Sequence, residues 1–153
     1  MSRHEKKPSK LLLFGGLTLF GLMTIGGLGY FLFVAINMLG NLLSLPDHIS
    51  FDKGAFYLPG VSIGLAALIY AGVYESCLEK TLTEKHTRQI TKFAISGIII
   101  MFLFPHLAHY LTDQFLQNKK YEICREVSRQ WLHSRTIVYV RDAGVCSELI
   151  EKT

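Results

Sequence analysis

The sequence predicts a mainly α fold, a three-span transmembrane helix bundle carrying a small disulfide-stapled C-terminal tail made of helix with a short strand. Three observations carry this expectation. Half of the 153 residues are apolar and only 18% are charged. The charges fall between three long apolar runs rather than inside them. Two of the three cysteines bracket a polar, arginine-rich segment beyond the last run.

The chain opens on a basic flank, residues 1–10, followed by an uncharged stretch over 11–39. A signal peptide carries an apolar core of only about 7–15 residues and ends in an A-x-A-like site. Neither feature is present, so this segment is expected to remain as a first transmembrane anchor. A loop over 40–54 leads to the second run, 55–74. A loop over 75–92 then leads to the third, 93–111. Each run approaches the length of about 20 residues that a helix needs to cross a bilayer core. The tail is 112–153.

Orientation is set by lysine and arginine near the span ends. The first flank holds Arg3, Lys6, Lys7 and Lys10, the loop 40–54 only Lys53, and the loop 75–92 Lys80, Lys85, Arg88 and Lys92. The positive-inside rule places the N-terminus and the second loop in the cytoplasm and the tail outside, so the expected address is a bacterial inner membrane with a periplasmic C-terminus. The tail's own basic residues, Lys119 and Lys120 above all, run against that rule. The net charge of +4 is read as a topology signal, with no nucleic-acid partner expected.

Cysteine placement played no part in that topology, and it agrees with it. Cys124 and Cys146 fall in the tail, where an oxidising compartment permits a disulfide, while the odd Cys77 falls in the cytoplasmic loop. Zinc sites favour close ligand pairs and redox sites a C-x-x-C, and neither spacing occurs. Neither a metal nor a cofactor is expected. A staple of this loop length would stabilise a small domain by about 3 kcal/mol.

Within the tail, TDQFLQNKKYEICREVSRQWLHS reads as helix, with Leu116, Ile123, Val127 and Trp131 recurring on one face. RTIVYVRD reads as a short strand, AG as a turn and VCSELIEK as a last helical turn. Trp131 and Tyr139 are either core or, with Arg125, Arg129, Arg135 and Arg141, a protein-binding face, because Trp, Tyr and Arg dominate interface hot spots.

In lipid, small residues let helices approach. Gly60, Gly64, Ala67 and Ala71 form one stripe on the second span, and Gly15, Gly26 and Gly29 share a face of the first, so these two helices are expected to pair. On the third span His106, His109 and Asp113 lie on one face, with Asn37 and Asn41 of the first expected at similar depth. They are read as a hydrogen-bonded cluster orienting the tail above Pro105, which should loosen the helix there. The glutamates and basic residues of the loop 75–92 read as a solvated helical extension.

No span carries a charge in its middle, and no P-loop, H-E-x-x-H or G-x-S-x-G occurs. An enzyme is not expected. With Cys124, Trp131, Tyr139, Val140, Asp142 and Cys146 in a C…W…YV-x-D…C tail behind three spans, the chain resembles a family of small enterobacterial inner-membrane proteins of unknown function. That resemblance implies the architecture and no activity. Two functions are expected from size and composition. The first is an immunity protein neutralising a toxin of the membrane or periplasm; the alternative is an accessory subunit of an envelope complex. A homo-oligomeric channel ranks third. Each implies a protein partner or a second copy within the lipid bilayer.

Maleimide labelling of intact cells should leave Cys77 unmodified and modify Cys124 and Cys146 only after reduction. Free thiols at both tail positions would refute the staple.

Overall fold

The computed structural model describes residues 10–76, 83–131 and 134–151. It is mainly helical. Its elements are α1 (Lys10–Ser44), β1 (His48–Asp52), a 3-10 turn (Ala55–Tyr57), α2 (Leu58–Ser76), α3 (Glu84–Asn118), β2 (Glu122–Ile123), β3 (Arg129–Trp131), β4 (Ser134–Val140) and α4 (Ala143–Glu151). Three helices are long and apolar enough to cross a membrane, so the chain is a membrane protein. At ~1.5 Å per residue α1 and α3 are each about 50 Å long, more than a ~30 Å hydrocarbon core takes up. Their ends therefore stand clear of it.

The apolar runs are helical because in lipid a backbone must satisfy its own N–H and C=O groups, and a helix does so locally. The same demand explains the internal bonds of the polar side chains on these helices. Thr18 and Thr24 donate to the carbonyls of Phe14 and Phe20, at 2.9 and 2.8 Å. Helix α3 runs on through Pro105, which is fully buried.

Helix α2 packs against both α1 and α3. Helices α1 and α2 pair as expected, but the glycine stripe is not what joins them. A methyl group on Gly60 would collide with the Met101 backbone and sit 2.6 Å from the Gly97 carbonyl; one on Gly97 would lie 2.9 Å from both the Gly60 carbonyl and the Gly64 nitrogen. The glycine stripe of α2 therefore faces α3, and its counterpart is Gly97. Toward α1 the contacts are Gly27 against Ser62 and Leu58, and Gly72 against Leu17. Ser62 is buried there and donates to the Thr24 carbonyl at 3.4 Å. Gly15, Gly26 and Gly29 meet nothing. Sequence spacing identifies a small-residue stripe, but its azimuth toward one neighbour or another is decided by how all three helices pack.

The tail is not the long amphipathic helix expected over 112–134. Helix α3 stops at Asn118 because Lys120 turns left-handed, with φ 63°. The Tyr121 N–H then reaches the Leu116 carbonyl at 3.0 Å, and the Lys120 N–H the Gln117 carbonyl at 2.9 Å. This is a Schellman closure, and Leu116 and Tyr121 supply its apolar contact in the core. Of the residues expected on one helical face, Leu116 is core, Ile123 lies exposed in β2, Val127 packs beside Cys124, and Trp131 belongs to β3.

Beyond Lys120 the chain builds a sheet. The segment 48–52, inside the stretch expected to be a loop, pairs antiparallel with β4, with Ile49 opposite Tyr139 and Phe51 opposite Ile137. On the other edge of β4 lie β2 and then β3. Between these two short strands the chain makes a turn over 125–127, and the Ser128 hydroxyl fills the gap in the ladder by accepting the Val138 N–H at 3.1 Å. Because β4 alternates, Ile137 and Tyr139 point toward the helix ends and Val138 and Val140 toward α4.

Gly60→Leu and Gly97→Leu should each lower stability in detergent by about 1–3 kcal/mol or more, as overpacking does. Gly29→Leu should change it by less than about 0.5 kcal/mol. Thermal unfolding followed by circular dichroism separates them.

Candidate functional site

The polar groups that the structure draws together lie where the sheet rests on the helix ends. An aromatic knot forms the floor. Phe31 of α1, Phe56 of the 3-10 turn and Phe104 of α3 contact one another with ring centroids 5.7–5.8 Å apart, and Phe51 of β1 stacks on Phe56 at 5.0 Å. Edge and offset arrangements of this kind add about 0.5–1.5 kcal/mol each beyond the area they bury. Ile49, Leu116, Tyr121, Ile137 and Tyr139 complete the layer.

Tyr139 crosses this layer and is fully buried. Its hydroxyl donates to Asp113 Oδ1 at 3.2 Å, and Gln117 donates to the other carboxylate oxygen at 2.8 Å. Burial first, then the Asp113 carboxylate, pushes the Tyr139 phenol well above its ordinary range. The hydroxyl therefore keeps its proton and its bond at every physiological pH. Tyr121 makes the equivalent tie on the opposite side, donating to the Pro46 carbonyl, with the Arg141 guanidinium 5.8 Å above its ring. Of the two roles open to Tyr139, core and binding face, it takes the first.

The histidines on α3 have separate surroundings. His106 is exposed, its Nδ1 3.4 Å from the Lys53 ammonium. His109 tilts against Phe51 at 5.6 Å with its Nε2 buried and unpaired. Asn37 is exposed on α1 and Asn41 half-buried. Neither joins the histidines or Asp113 by a side-chain hydrogen bond among the described residues. What Asp113 orients is Tyr139, and through it the sheet. Sequence reasoning missed Lys53 and Asp52. Asp52 accepts the Gly54 N–H at 2.9 Å and the Tyr30 hydroxyl at 3.3 Å, a role that a D-x-G turn signal can suggest.

On the far face of the sheet, Cys124 and Cys146 form a disulfide with Cα atoms 5.8 Å apart, tying α4 to the strand edge. Val138, Val140, Val127, Val145 and Leu149 pack around it. Glu126 Oε2 lies 3.8 and 3.7 Å from the two sulfurs. These three residues are grouped closely enough to hold a metal, but the sulfurs are spent on their bond to each other. Cys77, and the side chain of Trp131, lie outside the described residues.

Arg125, Arg129, Arg135 and Arg141 are all exposed, and none forms an ion pair among the described residues. Arg129 and Arg135 stand on neighbouring strands, where Arg129 is in register with Thr136 and Arg135 with Gln130. Directly paired residues face the same way, so Arg135 leaves the sheet with Ile137 and Tyr139 toward the helix ends, whereas Arg129 leaves it with Thr136 and Val138 toward α4.

A family model described as "Protein of unknown function (DUF1240)" matches residues 49–147, from β1 into α4. No curated protein and no solved structure matches the chain.

Tyr139→Phe should cost about 1.5–3 kcal/mol, the range for a hydrogen bond to a charged group. The wild-type contribution is fully present below pH ~10, the unfolded tyrosine value, and is lost as pH rises through the raised folded value. Alkaline unfolding curves of wild type and Tyr139→Phe should converge there.

Proposed function

The chain belongs to the DUF1240 family, whose function is unknown, and we propose that it is a small bacterial inner-membrane binding protein acting as immunity to a toxin of the membrane or periplasm. It has no catalytic task. Its N-terminus is cytoplasmic and its sheet periplasmic. Two independent features support that orientation: lysine and arginine crowd the flank before α1 and the first turns of α3, and the disulfide lies at the other end, on the sheet.

The observation that carries the recognition role is the set of four exposed arginines on and beside the sheet, none of which forms an ion pair among the described residues. A guanidinium presents five donors in a planar fork matched to carboxylates, so the expected partner surface is acidic. Burying the arginines' donors against carboxylates would satisfy what the free protein leaves to water. Arg129 and Arg135 sit on paired strands, so their backbones are already ordered before a partner binds. The polar groups nearest the bilayer serve structure instead. Asp113 is engaged by Tyr139 and Gln117.

A second reading, an accessory subunit of an envelope complex, is favoured by one specific feature. A methyl group on Gly15, Gly16, Gly21, Gly26 or Gly29 would touch nothing within 4 Å, leaving α1 an open small-residue surface on which a partner's helix could lie.

Expression of the chain should protect cells that produce the toxin encoded beside its gene. Reversal of Arg125, Arg129 and Arg135 to glutamate should weaken toxin binding by about 2 kcal/mol or more, roughly thirtyfold. No protection by the wild type refutes immunity. Protection that survives the reversals but not Gly26→Leu moves recognition to α1.

A further inference from the structure

Next to the contact of Gly60 with Gly97, α2 and α3 leave between them a groove of about 620 Å³. That volume lies within the ~300–1,000 Å³ typical of small-molecule sites. From Ile100 to His86 it runs about 21 Å along α3, at ~1.5 Å per residue. This exceeds one leaflet's share of a ~30 Å core. Ala66 and Ala67 of α2 and Ile90 and Phe93 of α3 line it, and His86 and Gln89 line the end nearest the start of α3, here called its mouth.

The mouth has the character of a membrane interface. Tyr70 and Tyr74 lie 6.1 Å apart, and Tyr74 is 5.5 Å from the His86 ring, whose Nδ1 is held 2.7 Å from the Thr83 hydroxyl. Tyrosines collect at headgroup depth. Beside them Lys85, Arg88 and Lys92 are all exposed. At 100° per residue these three form one stripe along α3, next to the Gln89 and Ser96 edge of the groove. An apolar slot longer than a leaflet, ending in hydrogen-bonding groups beside three cations, is complementary to an acyl chain with an anionic headgroup.

We propose that the α2–α3 groove is a binding site for an anionic glycerophospholipid, with one acyl chain in the slot and the phosphate beside Lys85, Arg88 and Lys92. The site is at the opposite end of the helices from the sheet. It does not depend on what the arginines recognise, and it holds whichever leaflet the mouth faces. The lipid supplies the apolar contact that helix packing leaves out at this end, so its occupancy should also stabilise the α2–α3 pair.

The test uses the full chain in nanodiscs carrying trace spin-labelled phosphatidylglycerol or phosphatidylcholine, with the immobilised fraction read by electron paramagnetic resonance. Wild type should hold phosphatidylglycerol about tenfold more tightly than phosphatidylcholine, with the preference falling in high salt. Ala66→Trp should release both lipids. Lys85→Glu, Arg88→Glu and Lys92→Glu together should abolish the preference while leaving chain immobilisation intact. These charges are exposed, so that variant reports even if Ala66→Trp fails to fold. Equal retention of the two lipids by wild type, or an unchanged preference in the charge variant, overturns the proposal. So does cross-linking of Phe93→Cys between two copies, which would make a second chain the occupant.

Discussion

The pairing of β1 with β4 is the interaction on which the rest of the structure depends. It joins the segment after the first span to the segment after the third. It therefore requires both to lie on one side of the bilayer, as three spans provide and two would not. The loop-closure entropy of bringing such distant segments together is small here, because α2 and α3 already return the chain to its starting side. Once β1 is in place, β4 is a central strand, with neighbours on both edges and cover on both faces.

Cover on both faces explains the behaviour of the tail. A segment of its length buries too little apolar surface to fold on its own. It borrows its core from the membrane helices: Phe31, Met38 and Leu42 of α1 and Phe104 and Ala108 of α3 pack against the sheet. Tyr139 fastens sheet to helix through Asp113, and the disulfide fastens α4 to the sheet's outer face. Bundle and sheet thus form one body, and the arginines on it are presented from a fixed frame.

The glycine contact between α2 and α3 has an equally local cause and a wider effect. Two backbones come this close where a side chain is missing, and Gly60 and Gly97 supply that gap. Farther along α2, Ala66 and Ala67 line the groove and are too small to fill it.

Hydropathy alone determined the three spans, and three spans put the segment after the first on the same side as the segment after the third. These properties are local, because a membrane helix satisfies its backbone within its own residues. The strand RTIVYV and the helix at the C-terminus were legible for the same reason. The β1 strand was not. HISFD alternates polar and apolar residues, but five residues of period two carry little signal until a partner strand is known. Without β1, Tyr139 reads as either core or part of a binding face; with it, Tyr139 is the centre of a core. The end of α3 at Lys120 was hidden too, since a left-handed lysine is stabilised by the closure around it and not by its own preference. Which neighbour the glycine stripe meets, and which residue Asp113 holds, were decided only by tertiary structure, because both depend on the relative rotation of helices that no single segment encodes.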